Sequence, residues 1–148
     1  MRNLVILGAS GSIGQSTLKV LRQNPGRWQV LALTAARSVD AMVRDCLELS
    51  PRFAVMVDES AASDLAGRLK THGCATRVLC GQAALCEVAA HPDAHSVMAA
   101  IVGAAGLAPT MAAVRAGKRI LLANKEALVM SGAFFMEAVR EHGAELLP

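Results

Sequence analysis

Three glycines follow the first apolar segment of the chain at a spacing typical of phosphate-binding turns. Residues 4–7 are aliphatic, and Gly8, Gly11 and Gly14 follow directly. The first glycine lets the chain turn sharply, the second leaves room for a pyrophosphate, and the third lets the next helix pack closely on the sheet. Such turns also cap ordinary strands, but here a helical pattern follows, whose N-terminus would attract an anion. We therefore predict a dinucleotide site that includes Gly8, Ser10, Gly11, Ser12 and Ile13.

A cation and a hydroxyl stand where dinucleotide-binding domains recognise the ribose. An NAD-preferring site usually has Asp or Glu about 20 residues past the glycine turn. This chain instead has Ala36, Arg37 and Ser38 after its second apolar segment. Because a guanidinium makes forked, charge-assisted hydrogen bonds to phosphate, these residues predict a 2′-phosphate site and a preference for NADPH over NADH. The alternative is that Arg37 is a solvated loop residue and that Asp40 binds the ribose.

Two later apolar segments also end in residues suited to a ligand. Small residues around Ala100 would let a flat ligand such as a nicotinamide ring approach the backbone, although tight helix-to-sheet packing explains them as well. Residues 120–123 are apolar and are followed by Asn124, Lys125 and Glu126. Helix capping accounts for Asn124 and Glu126 but not for Lys125. We therefore expect a functional role for this polar trio.

Apolar segments and helical patterns alternate along the whole chain and would position these residues. We predict strands at residues 4–8, 29–34, 54–57, 77–80, 97–101, 119–122 and 145–147. We predict helices at residues 12–23, 40–49, 61–71, 83–91, 107–116 and 132–142. The alternation predicts a Rossmann-type, doubly wound, mainly parallel α/β sheet of six to seven strands with helices on both faces. Ligands of such sheets bind at the carboxyl ends of the strands, where every candidate residue lies.

Composition narrows the class of protein. The 148 residues suit one domain, which we place at 1–148, and they are 53% hydrophobic but only 3% aromatic. The absence of tyrosine excludes dehydrogenase mechanisms that use a Tyr-Lys pair. The net charge of +3 suits an anionic ligand but lacks the basic stripe and stacking aromatics of a nucleic-acid binder. No apolar run reaches the roughly 20 residues of a membrane span or forms a signal peptide, so we predict a cytoplasmic protein.

The four cysteines and four histidines do not form a recognisable metal or disulfide pattern. Cys74, Cys80 and Cys86 are six residues apart, and the chain contains no C-x-x-C pair. We interpret the cysteines as buried, reduced thiols and predict no metal site in this chain.

Four segments resemble the 1-deoxy-D-xylulose 5-phosphate reductoisomerase family. They are residues 8–14 (GASGSIG), 48–52 (ELSPR), 98–107 (MAAIVGAAGL) and 121–129 (LLANKEALV). The likeness covers the entire chain, and the last two segments are specific to that family. The resemblance implies an NADPH-dependent enzyme of the non-mevalonate isoprenoid pathway. It would rearrange and reduce 1-deoxy-D-xylulose 5-phosphate to 2-C-methyl-D-erythritol 4-phosphate with the help of Mg²⁺ or Mn²⁺.

The resemblance also implies roles for individual residues. Ser10, Gly11, Ser12 and Ile13 would hold the pyrophosphate side of NADPH. Ala36, Arg37 and Ser38 would surround the 2′-phosphate. Asn124 and Glu126 would orient the ribose and nicotinamide end, and Lys125 would contact the phosphosugar substrate.

Two departures from the family pattern affect what we expect of this chain. Family members often have Gly-Lys-Asn near the 2′-phosphate, whereas this chain has Ala36-Arg37-Ser38 and so keeps the cation. Family enzymes also continue into an acidic metal-binding motif, a catalytic domain and a helical C-terminal domain, whereas this chain stops at Pro148. We therefore expect a cofactor-binding domain without catalytic residues or metal ligands that is inactive alone. The full-length enzyme would bind the metal and form a homodimer.

Two other functions fit part of the pattern. A small-molecule NADP-dependent dehydrogenase of the homoserine or aspartate-semialdehyde type would share the glycine turn but leaves residues 124–126 unexplained. A nucleotide-sensing regulatory domain would bind the dinucleotide without chemistry.

Overall fold

Seven parallel strands form a single sheet in the computed structural model, which describes residues 2–123 and 126–147. The strands are β1 (Arg2–Leu7), β2 (Trp28–Ala35), β3 (Phe53–Met56), β4 (Arg77–Cys80), β5 (Ser96–Ala99), β6 (Arg119–Leu122) and β7 (Glu145–Leu147). The helices are α1 (Ser12–Gln23), α2 (Val39–Leu49), α3 (Glu59–Thr71), α4 (Gln82–Ala89), α5 (Leu107–Arg115) and α6 (Glu126–His142), with a short 3-10 helix at Ala104–Gly106. The predicted doubly wound α/β class is confirmed.

The order of the strands opens a crevice next to β1. Across the sheet the order is β4-β3-β2-β1-β5-β6-β7. The chain therefore builds outward from β1 to β4 and then returns to place β5 on the other side of β1. The connections after β1 and β5 leave in opposite directions, and such a switch point is where doubly wound sheets bind their ligands.

Alternate residues of β1 belong to two separate cores. Val5 and Leu7 pack in the first core, and Leu4 and Ile6 pack in the second. The first core contains buried side chains of α4, α5 and α6, and the second contains those of α1, α2 and α3. A strand whose side chains are buried on both faces must be apolar without interruption, which explains the continuous aliphatic run at the start of the chain.

Most element boundaries lie within two residues of the sequence prediction, and two of the differences have a clear physical cause. The strand expected at residues 97–101 ends at Ala99, which is paired with Leu122 at the end of β6. Helix α6 consists of two helical segments joined by a kink at Gly132, where φ is 38° and ψ is −116°. The second segment corresponds to the helix predicted at residues 132–142, whereas the helical segment that begins at Glu126 and precedes the kink was not predicted.

No helix in the described parts of the chain is long and apolar enough to cross a lipid bilayer.

Helix α6 offers a paired test of how it docks. Phe135 is 0% exposed in the first core, while its neighbour Phe134 is 71% exposed. We expect Phe135→Ala to lower the free energy of unfolding by about 3–5 kcal/mol, because it removes a large buried side chain and leaves a cavity. Phe134→Ala should change that free energy by less than about 0.5 kcal/mol. Urea unfolding of both variants measures this, and equal losses would contradict the docking described.

Candidate functional site

A cleft of about 410 Å³ lies at the carboxyl ends of the strands, beside the switch point. It brings together residues from the ends of β1, β2, β3 and β5 and from the starts of α1 and α4. Predicted site residues that line it are Gly8, Ser10, Gly11, Ser12, Ile13, Ala36 and Ala100. Segments that are remote in sequence therefore converge on one site, as the sheet topology requires.

The three glycines of the first turn occupy different steric environments. Gly8 has a φ of 82°, and a Cβ atom there would lie 2.8 Å from the carbonyl oxygen of Ala100. A Cβ on Gly14 would lie 2.2 Å from the carbonyl oxygen of Gly8. On Gly11 the nearest atom would be 3.6 Å away, an ordinary contact. Gly8 and Gly14 thus allow β1, β5 and α1 to approach closely, while Gly11 leaves the cleft side of the loop open.

The N-terminus of α1 has no capping side chain. Its N-cap residue is Gly11, and the first turn contains no acidic residue. Helix α3, by contrast, is capped by Asp58, whose carboxylate accepts hydrogen bonds from the Ala61 N–H at 2.9 Å and from the Ser60 hydroxyl at 2.7 Å. Because Ser12 and Ile13 line the cleft, the free N–H groups at the start of α1 offer an anion the bonds that a side chain supplies in α3.

Thr34 connects the glycine loop to β2 through two hydrogen bonds. Its hydroxyl accepts a hydrogen bond from the Gly8 N–H at 3.0 Å, and its carbonyl oxygen accepts one from the Ala9 N–H at 2.8 Å. The residue is 1% exposed. Thr34 was not among the predicted site residues, although a hydroxyl at the end of an apolar strand was a usable signal.

Arg37 and Ser38 lie on the exposed connection that follows β2, next to the cleft residue Ala36. Ser38 is the N-cap residue of α2, yet its hydroxyl makes no capping hydrogen bond. Within the described ranges no carboxylate lies within 4.0 Å of the Arg37 guanidinium. The pKa of nearby Asp58 is lowered mainly by its bonds from Ser60 and Ala61, and less by the charge of Arg37. Both Arg37 and Ser38 therefore retain groups that a phosphate could use.

Asp40, the alternative ribose ligand, is engaged elsewhere. It lies in the first turn of α2, and its carboxylate accepts a hydrogen bond from Arg68 of α3 at 2.7 Å. This ion pair joins two helices of the second core at the protein surface.

The rest of the cleft wall is mainly apolar. Further lining residues that the sequence analysis did not name are Ala35, Val57, Gln82, Leu85, Ile101, Val102 and Ala105. Val102 is 81% exposed at the mouth of the cleft, an unusual position for a large aliphatic side chain. Gln82 begins α4 and adds a polar group to a wall that otherwise excludes water. These residues meet in the cleft because elements distant in sequence pack together. Only Ile101, at the end of a predicted strand, could have been expected there from the local sequence.

Three predicted residues cannot be placed. Asn124 and Lys125 lie outside the described residues, and so does the side chain of Glu126, with which α6 begins. Their predicted roles stay predictions.

The cysteines are all free thiols, but they differ in burial. Cys46 is buried, and the loss of solvation raises its pKa to about 12. Cys80 is exposed at the end of β4, so the expectation of buried thiols is wrong for that residue, and Cys74 and Cys86 are only half-buried. Over residues 2–123 and 126–147 no three His, Cys, Asp or Glu side chains come together as a metal site would require.

The sequence of this chain is similar to those of a known enzyme family. Residues 4–132 match the family model for 1-deoxy-D-xylulose 5-phosphate reductoisomerase. The chain belongs to this family. It is 94% identical over 148 residues to the reductoisomerase of Aeromonas salmonicida (strain A449), and it spans 37% of the length of that relative.

Solved reductoisomerase structures share the fold. A DOX-P reductoisomerase in complex with NADPH, fosmidomycin and magnesium matches with a TM-score of 0.96 and 43% identity, over all of this chain and 36% of the other. The Zymomonas mobilis reductoisomerase in complex with NADPH matches with a TM-score of 0.93 and 45% identity, over 99% of this chain and 38% of the other. The family resemblance inferred from the four sequence segments is confirmed.

The close contact at Gly14 can be tested against a second helical glycine. Gly14→Ala would place a methyl group against two backbone carbonyls, and we expect it to lower the free energy of unfolding by about 1–3 kcal/mol. Gly67 of α3 has open space around it, so Gly67→Ala should raise that free energy by about 0.5–1 kcal/mol. Thermal or urea unfolding measures both. A Gly14→Ala protein as stable as the Gly67→Ala protein would show that the turn does not need the missing side chain.

Proposed function

We propose that this chain binds NADPH in the cleft at the carboxyl ends of β1, β2 and β5. It would serve as the cofactor-binding part of an enzyme that isomerises and reduces 1-deoxy-D-xylulose 5-phosphate to 2-C-methyl-D-erythritol 4-phosphate. The observation that carries the proposal is the uncapped start of α1, which opens into the cleft beneath a loop that leaves no side chain at Gly11. Family membership and the relatives solved with NADPH support the same cofactor.

The pyrophosphate fits the glycine loop. Gly8 N–H, Ala9 N–H and Gly11 N–H are bonded within the protein, to Thr34, Thr34 and Gly8 respectively. No described residue accepts a bond from the Ser10 N–H, and the helix N–H groups of Ser12 and Ile13 follow it. Ser10, Ser12 and Ile13 would therefore donate backbone hydrogen bonds to the pyrophosphate, supported by the positive end of the α1 dipole.

The adenosine 2′-phosphate fits the connection after β2. The Arg37 guanidinium would provide two parallel donors and a full positive charge, and the free Ser38 hydroxyl would add a third donor. Ala36 leaves room beside them. The 2′-phosphate of NADPH would meet this cation, while the nearby carboxylates of Asp58 and Asp40 accept hydrogen bonds from protein donors.

The nicotinamide end would extend past Ala100 toward Asn124 and Glu126. When bound, NADPH supplies the hydride for the reduction. The apolar side chain of Ile101 would exclude water from that part of the cleft, and Lys125 would hold the substrate phosphosugar. The reductoisomerases solved with magnesium indicate a divalent metal in the complete enzyme. The described residues offer no group of ligands for such an ion, so we assign it no role in this chain.

Cofactor preference tests the proposal at Arg37. We expect the chain to bind NADPH more tightly than NADH, and Arg37→Ala to weaken NADPH binding by roughly 10- to 100-fold with little effect on NADH, since charged hydrogen bonds contribute about 1.5–3 kcal/mol each. Titration followed by nicotinamide fluorescence or calorimetry measures the dissociation constants.

A matched control comes from the opposite edge of the sheet. Arg27 is an exposed arginine just before the amino end of β2, and Arg27→Ala should leave both affinities unchanged. Equal affinity of the unaltered chain for NADPH and NADH would refute the role given to Arg37.

A further inference from the structure

A buried carboxylate lies directly behind the glycine loop. Asp45, on α2, is 0% exposed, although it is a charged residue. Its Oδ1 atom is 3.2 Å from Nε of Arg44 and 3.4 Å from Nη2 of Arg22, and its Oδ2 atom accepts a hydrogen bond from Gln15 at 3.1 Å. Burying a carboxylate without such partners costs free energy, so Gln15, Arg22 and Arg44 must stay in place around Asp45.

The Gln15 side chain connects that carboxylate to the loop. Its Nε2 amide donates to Asp45 and also to the carbonyl oxygen of Ala9, at 2.8 Å. Its Oε1 atom accepts a hydrogen bond from Nη2 of Arg44 at 3.1 Å. Both amide hydrogens and the amide oxygen are therefore in use, and the partners fix which way round the amide lies. If the amide were reversed, its oxygen would face the Ala9 carbonyl oxygen and the Asp45 carboxylate.

This bond determines the direction of one peptide group in the loop. In a trans peptide the C=O and the following N–H point in opposite directions. With the Ala9 carbonyl held toward Gln15, the Ser10 N–H must point away from Gln15 and α2. Ser10 lines the cleft on that side, and no described residue accepts a bond from its N–H. The neighbouring N–H groups of Ala9 and Gly11 are already bonded within the protein, so the Ser10 N–H is the donor that this loop segment offers to a ligand.

We propose that Gln15 and Asp45 are positioning residues for the pyrophosphate: the Gln15 amide, oriented by Asp45 and Arg44, holds the Ala9–Ser10 peptide so that the Ser10 N–H donates into the cleft. This inference rests on the proposed function. It extends that function from the groups that would touch the dinucleotide to groups behind them that would not.

The variant Gln15→Met tests the bridge directly. Methionine keeps the length and helix-forming tendency of glutamine but can neither donate to Ala9 nor accept from Arg44. We expect the dissociation constants for NADPH and NADH to rise by the same factor, about five- to tenfold, as follows from losing one oriented hydrogen bond. Adenosine 2′-monophosphate has no pyrophosphate, so its affinity, measured by displacement of NADPH, should not change.

A second pair of variants tests the carboxylate, with a control at an ion pair remote from the cleft. Asp45→Asn replaces an acceptor by a group whose NH₂ must face at least one of the donors from Gln15, Arg22 or Arg44, and we expect the same rise for both dinucleotides. Asp93→Asn also removes an ion-paired carboxylate, but one that contacts Arg52 before the amino end of β3, so it should leave both affinities unchanged. Thermal unfolding with each variant verifies that the chain remains folded at the titration temperature.

Each outcome distinguishes this inference from the proposed function. If the unaltered chain binds neither dinucleotide, the proposed function is wrong and this inference is wrong with it. If the unaltered chain binds NADPH and Gln15→Met binds it equally tightly, only the positioning role is overturned. If Gln15→Met weakens adenosine 2′-monophosphate as much as NADPH, the effect is a general loss of structure, and the positioning role is again overturned.

Discussion

The close approach of three backbone segments around Gly8 is the constraint on which the site depends. The end of β1 must pass within contact of the backbone at Ala100, after β5, and the first turn of α1 must pack against the loop that β1 enters. Neither approach leaves space for a Cβ atom at Gly8 or Gly14. A side chain at either position would push β5 or α1 outward, and the N–H groups that face the cleft would move with them. The geometry of the proposed anion site therefore depends on the missing side chains of Gly8 and Gly14.

The electrostatic surroundings of the cleft depend on the capping side chains and acidic residues at the N-termini of nearby helices. Helix α3 satisfies its own N-terminus with Asp58, whereas α1 has neither a cap nor an acidic first turn. The two helices begin at the same edge of the sheet but offer opposite surroundings to an anion. Asp40 and Asp45 are each held in ion pairs with arginines, which limits their repulsion of a phosphate nearby. In the proposed site an anion would be attracted by backbone dipoles and by Arg37 together.

Local pattern was enough to predict the elements, because residues next to one another in sequence decide where they begin. The helix at Ser12–Gln23 and the strands at Arg77–Cys80, Arg119–Leu122 and Glu145–Leu147 have the predicted bounds. The prediction was wrong where an apolar run continued beyond its last paired residue, as after Ala99, and it missed the helical segment that precedes the kink at Gly132. The loop residues of the cleft were predictable because their spacing is itself the signal. Thr34, Gln82 and the Gln15–Asp45 bridge were not, since each acts through a partner far away in sequence.

The position of β1 between β2 and β5 has a consequence for how the chain acquires its structure. Leu4 pairs with Val30 on one side, but on the other side it pairs with Ser96. A ribosome releases β2, β3 and β4 well before β5, so the first half of the sheet can assemble while one edge of β1 still lacks a neighbour. Until β5 arrives, that edge is open to pairing with other nascent chains, and the pairing that covers it joins residues far apart in sequence, a separation that slows folding in general.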